Sequence, residues 1–253
     1  MEVHHHPEVE KKGFKEYILE GLMIFLAVTM GFFAEGIREG IGDRAKEHEY
    51  ITSMIEDART DTADIHWCIK ANSARMKAIG SLAEMCYNYN SSKPNDAVLY
   101  LQYGKSTYHP DFVNPVERTL TQLKNSGGMR LITKKAAADS IIAYDDEARK
   151  LATQQAAYEH YLDNWAEQAE QIFNLRYMNM QNGKLKITAL KPGDTVYNDL
   201  LLTRDRATLI KAGNSVSVYG AVVDFYIARL RETEVHAVNL IHTLQKQYKL
   251  KDE

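Results

Sequence analysis

Proline and glycine are scarce in this chain, five and fourteen among 253 residues. Few positions therefore force a turn or break a helix. Cysteine is scarcer still. Cys68 and Cys86 are the two in the sequence, and they fall eighteen residues apart within one expected helix. At 1.5 Å per residue that is about 27 Å, against the roughly 7 Å between Cα atoms that a disulfide tolerates. A continuous helix thus excludes a bridge between them. There is no basic excess either. The formal net charge is -3, which leaves no electrostatic footprint for nucleic acid.

The sequence also lacks the motifs that carry common chemistries. It has no Gly-x-Ser-x-Gly, no phosphate-loop sequence and no dinucleotide fingerprint. His-Glu-x-x-His is missing. The one Glu-x-x-His joins Glu2 to His5 in the polar tail, whereas a di-metal bundle needs that pattern on facing helices. His66 and Cys68 stand two residues apart, a spacing that does not place them together on a helix face. No cofactor, metal centre or catalytic residue is assigned from these patterns. His4–His5–His6 alone could bind a transition metal in principle, or be part of an ordinary polar tail.

What is present is an apolar run. Phe14–Ala34 reads FKEYILEGLMIFLAVTMGFFA, and Gly21–Ala34 carries no charge. The uncharged core, about 14 residues, is short of the roughly 20 that cross a bilayer. Ile18, Tyr17 and Phe14 extend the apolar surface backwards, and Lys15 can snorkel to the headgroups. The run is apolar all round, unlike a surface helix of a soluble domain. A membrane-spanning helix over 13–35 follows. A cleaved signal peptide is the competing reading, but GFFAEGIREG lacks a small-x-small cleavage site, which favours an uncleaved signal-anchor. Glu20 lies at the inner edge of the run. An ionised carboxylate there is costly, so it is either an intramembrane interaction site or a group at the headgroup boundary.

The remainder reads as helices. Residues 1–12 form a polar tail, and 36–43 a juxtamembrane connector whose Gly36, Gly40 and Gly42 allow a bend or close packing. Residues 44–249 form a helical bundle domain, and 250–253 a frayed tail. Ile51, Ile55, Ala58, Ile65, Ile69, Met76, Ile79, Ala83 and Cys86 follow the spacing of a heptad seam, interrupted at Thr62 and Asn72. This predicts one long helix to about Tyr89. Asn90–Asp96 is a turn cluster, with a short helix over Ala97–Tyr103. Tyr108, His109 and Phe112 lie in an irregular stretch and are candidates for the end of the bundle or a partner surface, together with Arg130. Asn114–Pro115–Val116–Glu117 predicts a helix start, and Gly127–Gly128 a reversal. Thr133 can cap a second long helix over Lys134–Met180. Lys184–Thr188 alternates as a short extended piece would. A helix over Asn198–Ala212, a break at Gly213 and a last long helix over Ser215–Tyr248 complete the expectation. The fold class is all-α: a single amino-terminal transmembrane helix followed by an elongated bundle of three long and several short helices.

Three stretches together resemble an uncharacterised family of single-span proteins common in Bacteroidetes-type bacteria. They are Phe14–Tyr17 with Glu20 and the apolar run, the central Leu120–Ile132 (LTQLKNSGGMRLI), and the helical layout from Asn198 onward. The resemblance implies a bacterial membrane protein and brings no activity with it. The histidine-rich tail and the loop at 181–196 depart from the family pattern.

The expected function is therefore a non-enzymatic, membrane-anchored structural or accessory subunit that oligomerises or joins a larger membrane complex. An extracytoplasmic sensory or ligand-binding module is the alternative, and a membrane-anchored enzyme a third. The expected partners are the lipid bilayer and copies of itself or another membrane protein. Lys11, Lys12 and Lys15 on one flank nearly balance Arg38, Arg44 and Lys46 on the other, so the positive-inside rule barely orients the span. The short leader favours a cytoplasmic amino terminus and a periplasmic body at the inner membrane.

Overall fold

The computed structural model describes residues 13–107, 110–181, 184–187 and 199–251. Five α-helices account for most of them: α1 Phe14–Tyr87, α2 Asp96–Thr107, α3 Arg118–Asn125, α4 Lys135–Ala169 and α5 Arg206–Tyr248. A short antiparallel ribbon, β1 Met178–Gln181 with β2 Lys184–Ile187, adds the extended piece anticipated near Lys184. The fold is all-α around that ribbon. The chain divides into two compact units, Met1–Tyr50 and Ile51–Glu253.

In the first unit the described residues are helical from Phe14, and helix α1 passes through 36–43 without a break. Nothing lies within 4 Å of a Cβ placed at Gly36, Gly40 or Gly42. These glycines therefore hold no close packing within the chain itself.

In the second unit α4 and α5 run along each other, and α5 lies tightly on α1. The heptad seam of α1 is the reason. Ile51, Ile55 and Ala58 are buried, and Ile65, Ile79, Leu82, Ala83 and Cys86 share one core with Val216, Tyr219, Val223, Tyr226 and Leu230 of α5 and Leu151, Tyr158 and Trp165 of α4. Each fully buried aliphatic side chain contributes about 1.5–3 kcal/mol on removal from water.

Helix α5 differs from the expected pair of helices. Gly213 does not break it. A Cβ at Gly213 would lie 2.8 Å from the Tyr87 ring, and one at Gly220 would lie 2.9 Å from Ile79 Cγ2. The two glycines, one heptad apart, let α5 approach α1 closely. The start of the helix also shifts, to Arg206. Asp205 is the cap, its carboxylate accepting from the Thr208 N–H at 2.8 Å. The preceding leucines fold instead into a bridge with the end of α4. Phe173 pairs with Leu201, and the Leu202 N–H donates to the Ile172 carbonyl at 2.8 Å.

That bridge also explains why α4 ends at Ala169 rather than Met180. Ile172 and Phe173 are buried by a turn rather than a helix face, with Phe173 stacked on Tyr103 at 4.1 Å. The short α3 begins at Arg118, three residues after Pro115. Its start is set from α1: Asp61 accepts from the Val116 N–H at 2.8 Å, and Asp57 from the Thr119 N–H at 3.1 Å. Asp57 thus satisfies an amide donor that the helix start leaves open, while Asp61 holds the chain just before the cap residue Glu117. At the far end Lys249 adopts a left-handed conformation (φ 54°), and the N–H groups of Lys249 and Leu250 both return to the Gln245 carbonyl. This closes α5 as a C-cap does.

Candidate functional site: the apolar amino-terminal helix and the joints of the bundle

The first part of α1 is bracketed by polar groups. Glu16 folds back so that its carboxylate accepts from the Gly13 N–H at 2.8 Å, which fixes the helix start. At the other end Arg38 donates to Glu35 at 2.9 Å, one turn away. Glu16 and Glu35 are nineteen residues apart, about 28 Å along an α-helix. A hydrocarbon core is about 30 Å thick. Apart from Glu20 and Thr29, the surface between them is apolar on every side. Leu22, Met23, Ile24, Phe25, Leu26 and Val28 are each about half exposed or more, and no part of the apolar window is buried against the chain. Exposing this many large side chains to water would cost well over 10 kcal/mol at the usual area coefficient.

The polar side chain within the charge-free core is handled locally. Thr29 donates its hydroxyl to the Phe25 carbonyl at 2.7 Å, leaving no hydroxyl proton for lipid to solvate. The chain thus carries one amino-terminal apolar helix with the length and surface of a single membrane-spanning segment. Glu20 is exposed one turn inward from Glu16, about 6 Å along the axis.

The second unit places its buried polar residues at joints between elements. Asn72, which interrupts the heptad seam, is fully buried. Its amide donates to the Asp111 carbonyl at 2.8 Å and the Cys68 carbonyl at 3.1 Å, and it accepts from the Tyr158 hydroxyl at 3.1 Å. The Cys68 thiol donates to the same Asp111 carbonyl at 3.0 Å. Arg75 reaches the Asp111 carboxylate at 3.5 Å and the Ser106 carbonyl at 3.4 Å. The Tyr219 hydroxyl donates to Ser106 O at 3.2 Å, and the Val113 N–H donates to the Tyr226 hydroxyl at 3.2 Å. Together these bonds hold the stretch around Asp111–Val113 against α1, α4 and α5.

A second joint is Tyr144 on α4, whose hydroxyl donates to Asp61 on α1 at 2.6 Å. Burial raises the Asp61 carboxyl above its ordinary value despite that bond. A third is Asp96, which accepts from the Tyr89 hydroxyl at 2.6 Å and from Arg204 at 2.5 Å. Burial and the Asp96 carboxylate push the Tyr89 phenol up to about 12.

The chemistry of these groups is that of fastening. Burial pushes the Cys68 thiol up to about 11 and the Cys86 thiol up to about 12. Both are free and buried, so neither presents a thiolate at neutral pH. Among the described residues no group of three or more His, Cys, Asp and Glu side chains could hold a metal ion.

Of the residues marked from sequence, Tyr108 and His109 lie outside the described residues. Phe112 is half-buried and turns inward, edge-on to Tyr158 at 5.1 Å and Tyr226 at 5.8 Å. Arg130 is exposed on a single 3-10 turn over Gly128–Leu131. The structure does not bring Arg130 and Phe112 together in any hydrogen bond or ring contact. Trp165 is buried, its indole N–H donating to Thr107 Oγ1 at 2.8 Å, while Trp67 is exposed. His66 is exposed and lies 3.2 Å from Glu234 of α5.

The sequence reading missed the carboxylates Asp57 and Asp61 and placed Asp96 only within a turn cluster. Asp57 and Asp61 stand one turn apart on the buried side of α1, a spacing that could have marked them. Compared with protein-family models, curated proteins and solved structures, the chain matches none.

Proposed function

We propose that this chain is a non-enzymatic, membrane-anchored structural or accessory subunit that oligomerises or associates with a partner membrane complex. The observation that carries this reading is the wholly exposed apolar surface of Phe14–Ala34. It is supported by the use of the buried polar side chains, which fasten one helix of the bundle to another. The reading extends to a single-pass protein of a bacterial inner membrane, with a cytoplasmic amino terminus and a periplasmic body. It includes kinship with the single-span family that the Phe14–Tyr17 and Leu120–Ile132 stretches resemble.

Glu20 is the proposed interaction site within the span. A carboxylate one turn inside the membrane boundary favours a place against another protein helix over one against lipid. The test compares the full chain with Glu20→Gln (E20Q), extracted in mild detergent and sized with whatever copurifies. The expected result is a defined assembly for the unsubstituted chain that E20Q weakens, with the thermal melting of the bundle unchanged. A chain that is strictly monomeric, with nothing bound, would overturn the proposal.

A further inference from the structure

Helix α5 carries a second apolar stripe on the side facing away from its core. Val218, Ala221, Phe225, Ala228, Glu232 and Val235 alternate by three and four residues, the spacing of a heptad seam. All six are exposed, and Phe225 is 66% and Val235 58% accessible. The inner seam of the same helix, Val216, Tyr219, Val223, Tyr226 and Leu230, is buried. Single exposed apolar residues are ordinary, but a helix with apolar stripes on opposite faces is built to contact something on both. The outward face of α4 is different, with Asp146, Arg149 and Lys150 forming ion pairs along it.

We propose that the outward stripe of α5 pairs with the same stripe of a second copy of this chain. This deepens the reading of the protein as an assembling subunit and rests on it. Charge complementarity points to a second copy. Asp224 borders the stripe on one side, one residue before Phe225. In a two-stranded seam it occupies the position that faces across the interface. If the two helices run in the same direction, the residue five positions on in the partner is the equivalent of Arg229, a guanidinium that its own chain already shares between Glu147 and Glu232. If they run in opposite directions, with Phe225 over the partner's equivalent of Ala228, Asp224 meets the equivalent of Arg231. Either sense sets Asp224 against an arginine twice over, by two-fold symmetry. Glu232, the one charged residue within the stripe, is already engaged by Arg229 of its own chain. The small residues Ala221 and Ala228 flank Phe225 and leave space for an aromatic ring from the other copy.

The test uses the full chain in its membrane, with Phe225→Cys as a cross-linking probe and Asp146→Cys on α4 as the control. Cys68 and Cys86 are buried and do not compete for oxidation. A disulfide-linked dimer is expected through Phe225→Cys if the helices run in the same direction, or through Phe225→Cys combined with Ala228→Cys if they run in opposite directions, and none through Asp146→Cys. Phe225→Glu should reduce the dimer fraction at least tenfold in mild detergent while the melting temperature of the bundle stays within a degree or two, because Phe225 is exposed in the single chain. Equal cross-linking at both positions, linkage of Phe225→Cys only to a different protein, or a dimer indifferent to Phe225→Glu would overturn the proposal. A dimer lost on E20Q but kept in Phe225→Glu would leave the assembling-subunit reading standing and remove this interface. A chain that leaves the membrane yet still dimerises through Phe225 would do the opposite.

Discussion

Replacing Tyr144 by phenylalanine removes one hydroxyl and keeps the ring. That hydroxyl donates to Asp61 at 2.6 Å, and the Asp61 carboxylate, 1% accessible, then retains only the Val116 N–H at 2.8 Å of its two donors seen here. A hydrogen bond to a charged group contributes about 1.5–3 kcal/mol, and the orphaned partner stays buried. We therefore expect Y144F to destabilise the bundle by about 2 kcal/mol, roughly a thirtyfold change in the folded-to-unfolded ratio.

The deficit should depend on pH, and its sign is fixed by Asp61. The carboxyl is raised in the folded chain, mainly by burial. Its contribution is therefore most favourable below the ordinary carboxylate value and is lost as pH rises through the folded value. Tyr144 partly offsets that loss by favouring the charged form. Without it the folded value climbs further, so Y144F should be most damaging near neutral pH and less so near pH 4. Urea unfolding of the full chain in detergent, followed by tryptophan emission, measures this directly. Trp165 is buried in the bundle while Trp67 is 59% exposed, so the red shift on unfolding reports Trp165. A change below 0.5 kcal/mol at pH 7, or a deficit of the same size at both pH values, would refute the role given to this joint.

Gly220→Ala should destabilise by about 1–2 kcal/mol through crowding against Ile79, although alanine is the better helix former by about 1 kcal/mol; a gain in urea midpoint would contradict the close packing of α5 on α1. Cys68 and Cys86 should react with a thiol reagent at pH 8 at least a hundredfold more slowly in the folded chain than in urea, because burial keeps both thiols protonated, and comparable rates would show that they are accessible. Asn72→Leu should cost about 3 kcal/mol by leaving polar partners at Asp111 and Tyr158 short of a bond, measurable by the same urea unfolding; a neutral result would mean that the buried network carries little stability.

Much of the helical layout was legible because its signal is periodic. The seam from Ile51 to Cys86 predicted a buried helix face, and Ile51, Ile55 and Cys86 are buried as that spacing requires. Val216, Tyr219, Val223, Tyr226 and Leu230 of the last long helix follow the same spacing and are buried too. What was not legible depended on partners distant in sequence. Gly213 looks locally like a break, and only the Tyr87 ring beside it shows why a glycine stands inside a helix. Leu200–Leu202 resemble a helical run, yet they pair with the turn after α4. Pro115 marks a helix start in local terms, whereas the chain entering α3 is held by Asp57 and Asp61, over fifty residues away. Asn72 and Thr62 both interrupt the seam. Asn72 carries a buried network, while Thr62 simply donates to the Ala58 carbonyl of its own helix at 2.7 Å.

Phe14–Ala34 has the length and surface of a segment that lies in a bilayer. Alkaline carbonate extraction of native membranes tests it most directly, comparing the full chain with a Leu26→Arg variant. An arginine at the centre of a span costs about 2.5–3.5 kcal/mol on insertion. The unsubstituted chain should stay in the membrane pellet, and the arginine variant should be released in substantial part. Release of the unsubstituted chain into the soluble fraction would contradict it.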